Sequence, residues 1–411
     1  MLEDPTVAQS LDPTTEPRCM IVMLSVGIPP ESYGGAEQQC LRLSKALHAQ
    51  GTDVVILAAS RSRKLPARDF VDDIPLVRFV SRHAPDHGGL HLLSSLKWTL
   101  EVFAWMLRHR GRIRLIHVHQ GKFHILPAVA AEWLLGLPFI VKVGNAEEQF
   151  DYERLARKSG GYGRLVLRRL IKKAQLHVAI SSRIAEQMAA IGIPPHRIRQ
   201  IPNGIDIDRF TFDRTANLGD RRTFAYFGRL NEEKQPMMLL RCFAEILDNG
   251  ARHRLVVAGD GPLLESMRRY VRDHRLEDCV EFLGRLDDVR ALLSRSHFFV
   301  LPSKNEGLSN ALLEAMSSGL VAIASAVSGS TDAIRHGVNG MLFAWDDDVA
   351  LVRCLRTAAG MSVAEWQSMR CAARRDIEDR YVMADIAKVY ADLYETVEFD
   401  SEQPVLLQKS R

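Results

Sequence analysis

The chain has 411 residues, too many for one ordinary hydrophobic core, so two domains are expected. With 46% hydrophobic and 25% charged residues it has the balance of an ordinary soluble globular protein. The net charge of +4 hides an asymmetry: residues 1–205 carry 27 Lys and Arg against 18 Asp and Glu, or +9, and the remainder carries −5. Such asymmetry bears on partners rather than on fold. Nucleic acid is disfavoured, because no recognised binding motif is present and the aromatic residues are not interleaved with the basic ones. The six cysteines are scattered, with no C-x-x-C pair and no metal-ligand spacing, which points to reduced thiols and a cytoplasmic location.

Residues 1–17 are acidic and contain proline, without the basic-then-apolar order of a secretory signal, and read as a disordered tail. A first strand fits Met20–Val26. Tyr33-Gly34-Gly35-Ala36-Glu37 follows it and opens a helix over Ala36–Gln50, so the glycines allow close backbone approach at a helix N-terminus that favours phosphate. The other reading of this loop is a plain turn. Further strands fit Val54–Ala59, Leu115–Val118, Phe139–Val143 and His177–Ile180. His117, His119 and His124 cluster after the third of these five strands, but no carboxylate or cysteine spacing supports a metal. His119 then lines a cleft or is simply structural. Ile125–Val143 is apolar, yet Pro127, Glu132 and Pro138 make it helix, turn and strand rather than a membrane span. Glu153–Lys173 is basic with interleaved Leu165, Leu167, Leu170 and Ile171. It reads either as a surface for anionic membrane or as a core-facing helix with a solvated cationic face.

Pro202-Asn203-Gly204-Ile205-Asp206 is a turn signal followed by polar sequence, and the hinge between domains 18–203 and 204–381 is placed there. The βα alternation then restarts with strands at Thr223–Phe227, Arg254–Ala258, Val280–Leu283, Phe298–Leu301 and Val321–Ser325. Two doubly wound α/β domains of Rossmann-like type follow, their ligands along a shared cleft at the strand ends. After the first strand of this half, Gly228-Arg229-Leu230-Asn231-Glu232-Glu233-Lys234 places two cations where both reach one anion. Ala258-Gly259-Asp260-Gly261-Pro262 is a tight turn between a strand and a helix. Ser303–Ser318 joins a buried strand to a helix capped by Ser309 or Asn310, aiming unpaired amides at one point framed by Glu306 and Glu314. Amides suit phosphate and carboxylates suit sugar hydroxyls, and a nucleotide sugar has both. The competing reading is an amphipathic helix that begins with a surface glutamate. A final amphipathic helix spans about 382–397, and 400–411 read as a flexible tail.

Glu306-x7-Glu314 within EGLSNALLEAM resembles the EX7E motif of retaining glycosyltransferases of family 4, the group 1 glycosyl transferases with GT-B architecture. Tyr33–Glu37 resembles the family's GG loop, Gly228–Lys234 its GRL-x-x-EK motif, Gly259–Pro262 its G-x-G-P turn and Gly337–Gly340 its late G-x-N-G turn. The resemblance covers about residues 20–395. It implies that Arg229 and Lys234 grip the donor diphosphate, Glu306 orients the sugar and Glu314 meets the ribose. Gly35, Gly261, Gly307, Leu308, Ser309 and Asn310 would complete the nucleotide-sugar site, with Tyr33, His119, Lys142 and Asn145 on the acceptor side. It also implies a last helix that crosses back to the first domain.

The sequence departs from the family at several places. Gln235 and Val321 stand where glycine and proline are usual, and Asp332 where glutamate is usual. Lys142-Val143-Gly144-Asn145 lacks the histidine common after that strand.

The expectation is a metal-independent transfer from a UDP- or GDP-type sugar to a saccharide or lipid-linked saccharide, with no cofactor. Bacterial surface polysaccharide or glycolipid synthesis is the implied setting, in the cytoplasm and with peripheral contact to the inner membrane face as one reading. The alternatives are a nucleotide-sugar epimerase on the same plan and a non-catalytic membrane-associated binding protein.

Overall fold

The computed structural model describes residues 19–397 apart from 30, 32, 33, 61, 63, 81–89, 122, 158–161 and 248–252. Its first half runs β1 (Met20–Ser25), α1 (Gly35–Ala49), β2 (Val54–Ser60), β3 (Arg68–Val71) and β4 (Ile74–Val80). It continues through α2 (Leu90–His109), β5 (Ile113–His119), α3 (Leu126–Leu135) and β6 (Phe139–Val143). Helices α4 (Asp151–Ala156) and α5 (Tyr162–Lys173) precede β7 (Leu176–Ala179), α6 (Ser182–Ala190) and β8 (Ile198–Gln200). The eight strands form one sheet in the order β3-β4-β2-β1-β5-β6-β7-β8, parallel except for the β3/β4 pair. Strands β1, β2, β5 and β6 are buried on both faces because helices cover both, which is why they read as largely hydrophobic runs, with His117, His119 and Lys142 as buried exceptions.

The second half runs β9 (Thr223–Phe227), α7 (Pro236–Glu245), β10 (Arg254–Ala258), α8 (Leu264–Asp273), β11 (Val280–Gly284) and α9 (Arg290–Ser294). It continues with β12 (Phe298–Leu301), α10 (Asn310–Ser317), β13 (Val321–Ser325), α11 (Ser328–Ala333), β14 (Gly340–Phe343), α12 (Asp348–Gly360) and α13 (Val363–Arg380). These six strands form a second, all-parallel sheet in the order β11-β10-β9-β12-β13-β14. Helix starts are chemically marked. Ser181, Ser309 and Asp347 accept from backbone amides of α6, α10 and α12, and Ser362 with Glu365 forms a capping box at α13.

The chain passes between the sheets twice at one place. Ile205 N donates to Tyr381 O (2.7 Å) and Met383 N to Ile205 O (2.9 Å), so the outgoing and returning segments are paired. The returning segment is α14 (Met383–Thr396), whose Ile386, Ala387, Tyr390, Leu393 and Tyr394 complete a core with β1, β2, β5 and α1. Beneath it, the Tyr394 hydroxyl and His117 Nδ1 lie 2.7 Å apart; on the other face of the sheet, the Tyr152 hydroxyl and His177 Nδ1 lie 2.6 Å apart. Burial holds His117 well below the usual imidazole range and pulls His177 down to about 3, so both are neutral.

Among the described residues no helix is long and apolar enough to cross a membrane.

Candidate active site

Strands β9 and β12 are neighbours at the switch point of the second sheet, where connections leave in opposite directions and ligands of open α/β sheets bind. The loop after β9 carries Arg229 and Lys234; the turn after β12 carries Glu306. Asn231 caps the short 3-10 turn Glu232–Lys234 by accepting from Lys234 N at 3.2 Å. That turn delivers Lys234 Nζ to Glu306 Oε1 at 2.6 Å, and Ser303 Oγ donates to the same oxygen at 2.9 Å. Ser303 is itself fixed, since its carbonyl accepts from Ser325 Oγ on β13 at 2.5 Å. Glu306 Oε2 has no hydrogen-bond partner among the described residues, so one carboxylate oxygen stays open to a hydroxyl. Arg229 is exposed, and only its backbone carbonyl is tied down, by the Tyr226 hydroxyl at 2.8 Å.

Gln235 has left-handed backbone (φ 47°, ψ 42°), which explains why glycine suits that position. Its side chain offsets the strain: with the amide nitrogen turned toward them, it donates to the carbonyls of Pro302 (2.7 Å) and Trp345 (2.9 Å). The departure therefore ties the Lys234 loop to the end of β12.

Glu314, on α10, is buried to 7% exposure and faces the first domain. Arg42 of α1 donates to its Oε1 at 2.6 Å. Burial raises the carboxyl above its ordinary range, and Arg42 works against that rise. Asn310 bridges the halves as well. Its Nδ2 donates to Gly35 O (3.0 Å), and its Oδ1 accepts from Gln39 (2.9 Å) and Asn203 (3.2 Å). Asn203 also donates to Leu308 O at 3.1 Å. Leu308 and Ser309 are buried, Leu308 in the core and Ser309 as the cap of α10, so only backbone groups there face the turn. A Cβ on Gly307 would overlap the Gly144 carbonyl oxygen, which marks a close approach of the two domains' backbones. Gly261 packs against Leu230 so tightly that a side chain would strike its backbone. Asp332 accepts from Ser182 N at 2.7 Å, at the start of α6 across the interface.

On the first-domain side the expected residues separate. Tyr33 lies outside the described residues. His119 and Lys142 are enclosed between the sheet and helices α1 and α14. His119 stacks on His117 at 4.3 Å, and Lys142 Nζ lies 5.6 Å from the Tyr390 ring centre. Burial pulls the Lys142 ammonium down to about 8. Asn145 is half-buried at the strand end and donates to Asp151 at 2.7 Å, while Asp151 also accepts from Gly144 N at 3.1 Å. Gly144 stands beside Gly307 in the stretch that lacks the family's usual histidine. Sequence reasoning missed Gln39, Arg42, Asn203 and Gly144 as interface residues. Gln39 and Arg42 share a helix face three residues apart, but nothing in that spacing names their partners. Among the described residues no group of three or more His, Cys, Asp or Glu is placed to hold a metal ion.

The basic stretch divides into α4 and α5, with Lys158 outside the described residues. Arg169 and Lys173 are engaged by Glu132 of α3, at 2.9 and 3.4 Å. Arg164, Arg168 and Lys172 are exposed, next to Leu165 (66% exposed) and Trp133 (65% exposed).

Residues 33–209 match the description Glycosyltransferase Family 4, and residues 221–359 match Glycosyl transferases group 1. A UDP-Gal:alpha-D-GlcNAc-diphosphoundecaprenol alpha-1,3-galactosyltransferase of Escherichia coli is 26% identical over 80% of this chain and 86% of its own length. A GDP-mannose:cellobiosyl-diphosphopolyprenol alpha-mannosyltransferase of Komagataeibacter xylinus is 28% identical over 89% and 90%. Among solved structures, Anabaena HepE in complex with UDP and glucose superposes with a TM-score of 0.72 at 17% identity, covering 92% of this chain and 99% of that one. The two halves are thus matched in order, on a shared two-sheet architecture, and the chain belongs to the group 1 glycosyltransferases of family 4 and has their GT-B fold.

Proposed function

We propose that the protein moves a sugar from a nucleoside diphosphate donor to a saccharide or lipid-linked saccharide, keeping the donor's anomeric configuration and using no metal ion. The observation that carries this reading is the Lys234–Glu306 pair at 2.6 Å, at the switch point between β9 and β12. Lys234 and Arg229 would offset charge that develops on the leaving diphosphate, a role a metal fills elsewhere. Glu306, its Oε1 held by Lys234 and Ser303, would present Oε2 to the sugar. Asn145, half-buried at the end of β6, would face the acceptor. Names of the relatives that span both domains include polyprenol-linked acceptors, which favours a lipid-linked substrate in bacterial surface polysaccharide or glycolipid assembly.

The test is a thermal-shift panel of UDP, GDP, ADP and their sugars, followed by transfer with the best donor. A ligand at about 100 times its dissociation constant adds roughly 2.7 kcal/mol of stability. Product formation should survive EDTA, and NMR should show the donor's configuration kept. Inversion, or a requirement for Mg²⁺ or Mn²⁺ after chelation, would overturn the mechanism.

A lipid-linked acceptor also gives the exposed face of α5 a role, because Arg164, Arg168 and Lys172 flank exposed Leu165 and Trp133. Each cation near an anionic surface is worth about 1 kcal/mol, screened by salt. Co-sedimentation with liposomes should rise with anionic lipid, fall with salt, and be lost when those three residues become glutamate. Arg169 and Lys173 are left in place because they hold Glu132. Indifference of the wild type to anionic liposomes at low salt would make this face a solvated surface only.

A further inference from the structure

Two carboxylates frame the proposed nucleotide site, and each is met by a cation, but the cations come from different domains. Lys234, which meets Glu306, belongs to the same domain as its partner. Arg42, which meets Glu314, comes from α1 of the first domain, 272 positions away in sequence. We infer that Arg42 is a positioning residue of the donor site: it holds Glu314 as an oriented carboxylate for the ribose hydroxyls, and so makes the donor grip depend on closure of the first domain.

The geometry supports this in three ways. Arg42 Nη2 occupies Glu314 Oε1 at 2.6 Å, while Oε2 has no hydrogen-bond partner among the described residues. The guanidinium is seated over the Phe210 ring, 6.0 Å from its centre, and its Nη1 is buried with no hydrogen-bond partner. Glu314 is therefore its main polar contact. The neighbouring Gln39–Asn310–Asn203 bonds fix α1 against the start of α10, so the pair is set by the closed interface rather than by a flexible surface side chain.

The chemistry requires such a partner. Ribose hydroxyls donate, and an ionised carboxylate accepts at every lone pair, whereas a protonated one does not. Burial pushes Glu314 toward the protonated form. The charged groups that act on it are Arg42 from α1, Arg209 from the segment joining the domains, and Asp288 from the loop before α9. The two arginines favour the carboxylate, and Asp288 opposes it. Arg42 is the only one of the three that is hydrogen-bonded to it among the described residues. Without Arg42 the carboxyl takes up its proton at higher pH, and donor binding should then fail earlier as pH is lowered.

This inference rests on the nucleotide-sugar reading above, and one titration separates the two. Binding of UDP, GDP and ADP is measured by calorimetry for wild type, Arg42→Gln, Arg42→Lys, Glu314→Gln and the Arg42→Gln/Glu314→Gln double variant, at pH 8, 7 and 6. The nucleotide that wild type prefers should bind Arg42→Gln about tenfold more weakly, the loss of one charge-assisted contact. That deficit should widen toward pH 6, shrink in Arg42→Lys, and vanish in the Glu314→Gln background. Equal or tighter binding by Arg42→Gln at every pH overturns the inference and leaves the nucleotide reading standing. So does an undiminished deficit in the Glu314→Gln background, which would mean that Arg42 only braces the fold. Wild type that binds none of the three nucleotides removes the nucleotide reading and this inference with it.

Discussion

Replacing Arg229 and Lys234 together by alanine should lower sugar transfer by at least about a thousandfold while leaving the protein folded. A single preorganised donor aimed at developing charge is commonly worth on the order of 10²–10³ in rate. Two cations serving one diphosphate act as a unit, so each single variant should already cost most of the loss. Arg229 is exposed and has no side-chain role in packing, so its removal should leave the thermal midpoint unmoved. Lys234 differs, because it holds Glu306 Oε1 at 2.6 Å. Its loss frees a carboxylate that is itself mostly covered, and a small drop in stability should accompany the loss of rate. Transfer assays and melting curves on the two single variants and the double check both statements. Turnover of the double variant within tenfold of wild type would reject the assignment of these cations to the diphosphate.

Gly307→Ala should cost about a hundredfold in turnover through the opposite kind of change, the addition of one methyl group. That carbon would overlap the Gly144 carbonyl oxygen and sit 3.1 Å from Ile180 Cδ1, both on the other domain. Neither a backbone carbonyl nor a buried isoleucine can swing aside, so the domains must separate. A displacement near 1 Å of reacting groups is enough for a loss of that order. The control is Gly144→Ala, whose new carbon would meet only Gln120 Cγ, at an ordinary 3.9 Å. It should turn over like wild type. Equal rates for Gly307→Ala and wild type would show that the close approach is not part of the active arrangement.

The fold was legible where burial on both faces makes strands into unbroken apolar runs. Phe298–Leu301, Thr223–Phe227, Arg254–Ala258 and Val321–Ser325 have the same limits in sequence and structure. The β3–β4 hairpin escaped because its cues are weak. β3 is half exposed and carries Arg68 and Asp69, β4 carries Pro75, and the turn is Asp72-Asp73 rather than Asn-Gly. Both turn residues are nonetheless left-handed, at φ 52° and 66°, as a two-residue hairpin demands. At the site, Lys234 and Glu306 could be paired in thought because each follows a strand within a compact motif. The partners of Glu314 and Asn310 could not, since a helix face shows its polarity but not what it meets. His119 and Lys142 illustrate the same limit from the other side. Position at a strand end suggested the cleft, but His119 is buried against His117 and Met23, and Lys142 lies against Tyr390 of the returning α14.

That returning helix has a consequence for how the protein is made. During synthesis the first domain leaves the ribosome with the surface of β1, β5 and α1 uncovered, because Ile386, Tyr390, Leu393 and Tyr394 are added only after the second domain. His117 and Lys142, which end up beneath those tyrosines, stay wet and chargeable until then. The second domain, by contrast, has all its own strands and helices by Arg380. It is therefore the later-made half that is able to mature first, and the earlier half is sealed only when α14 folds back over it.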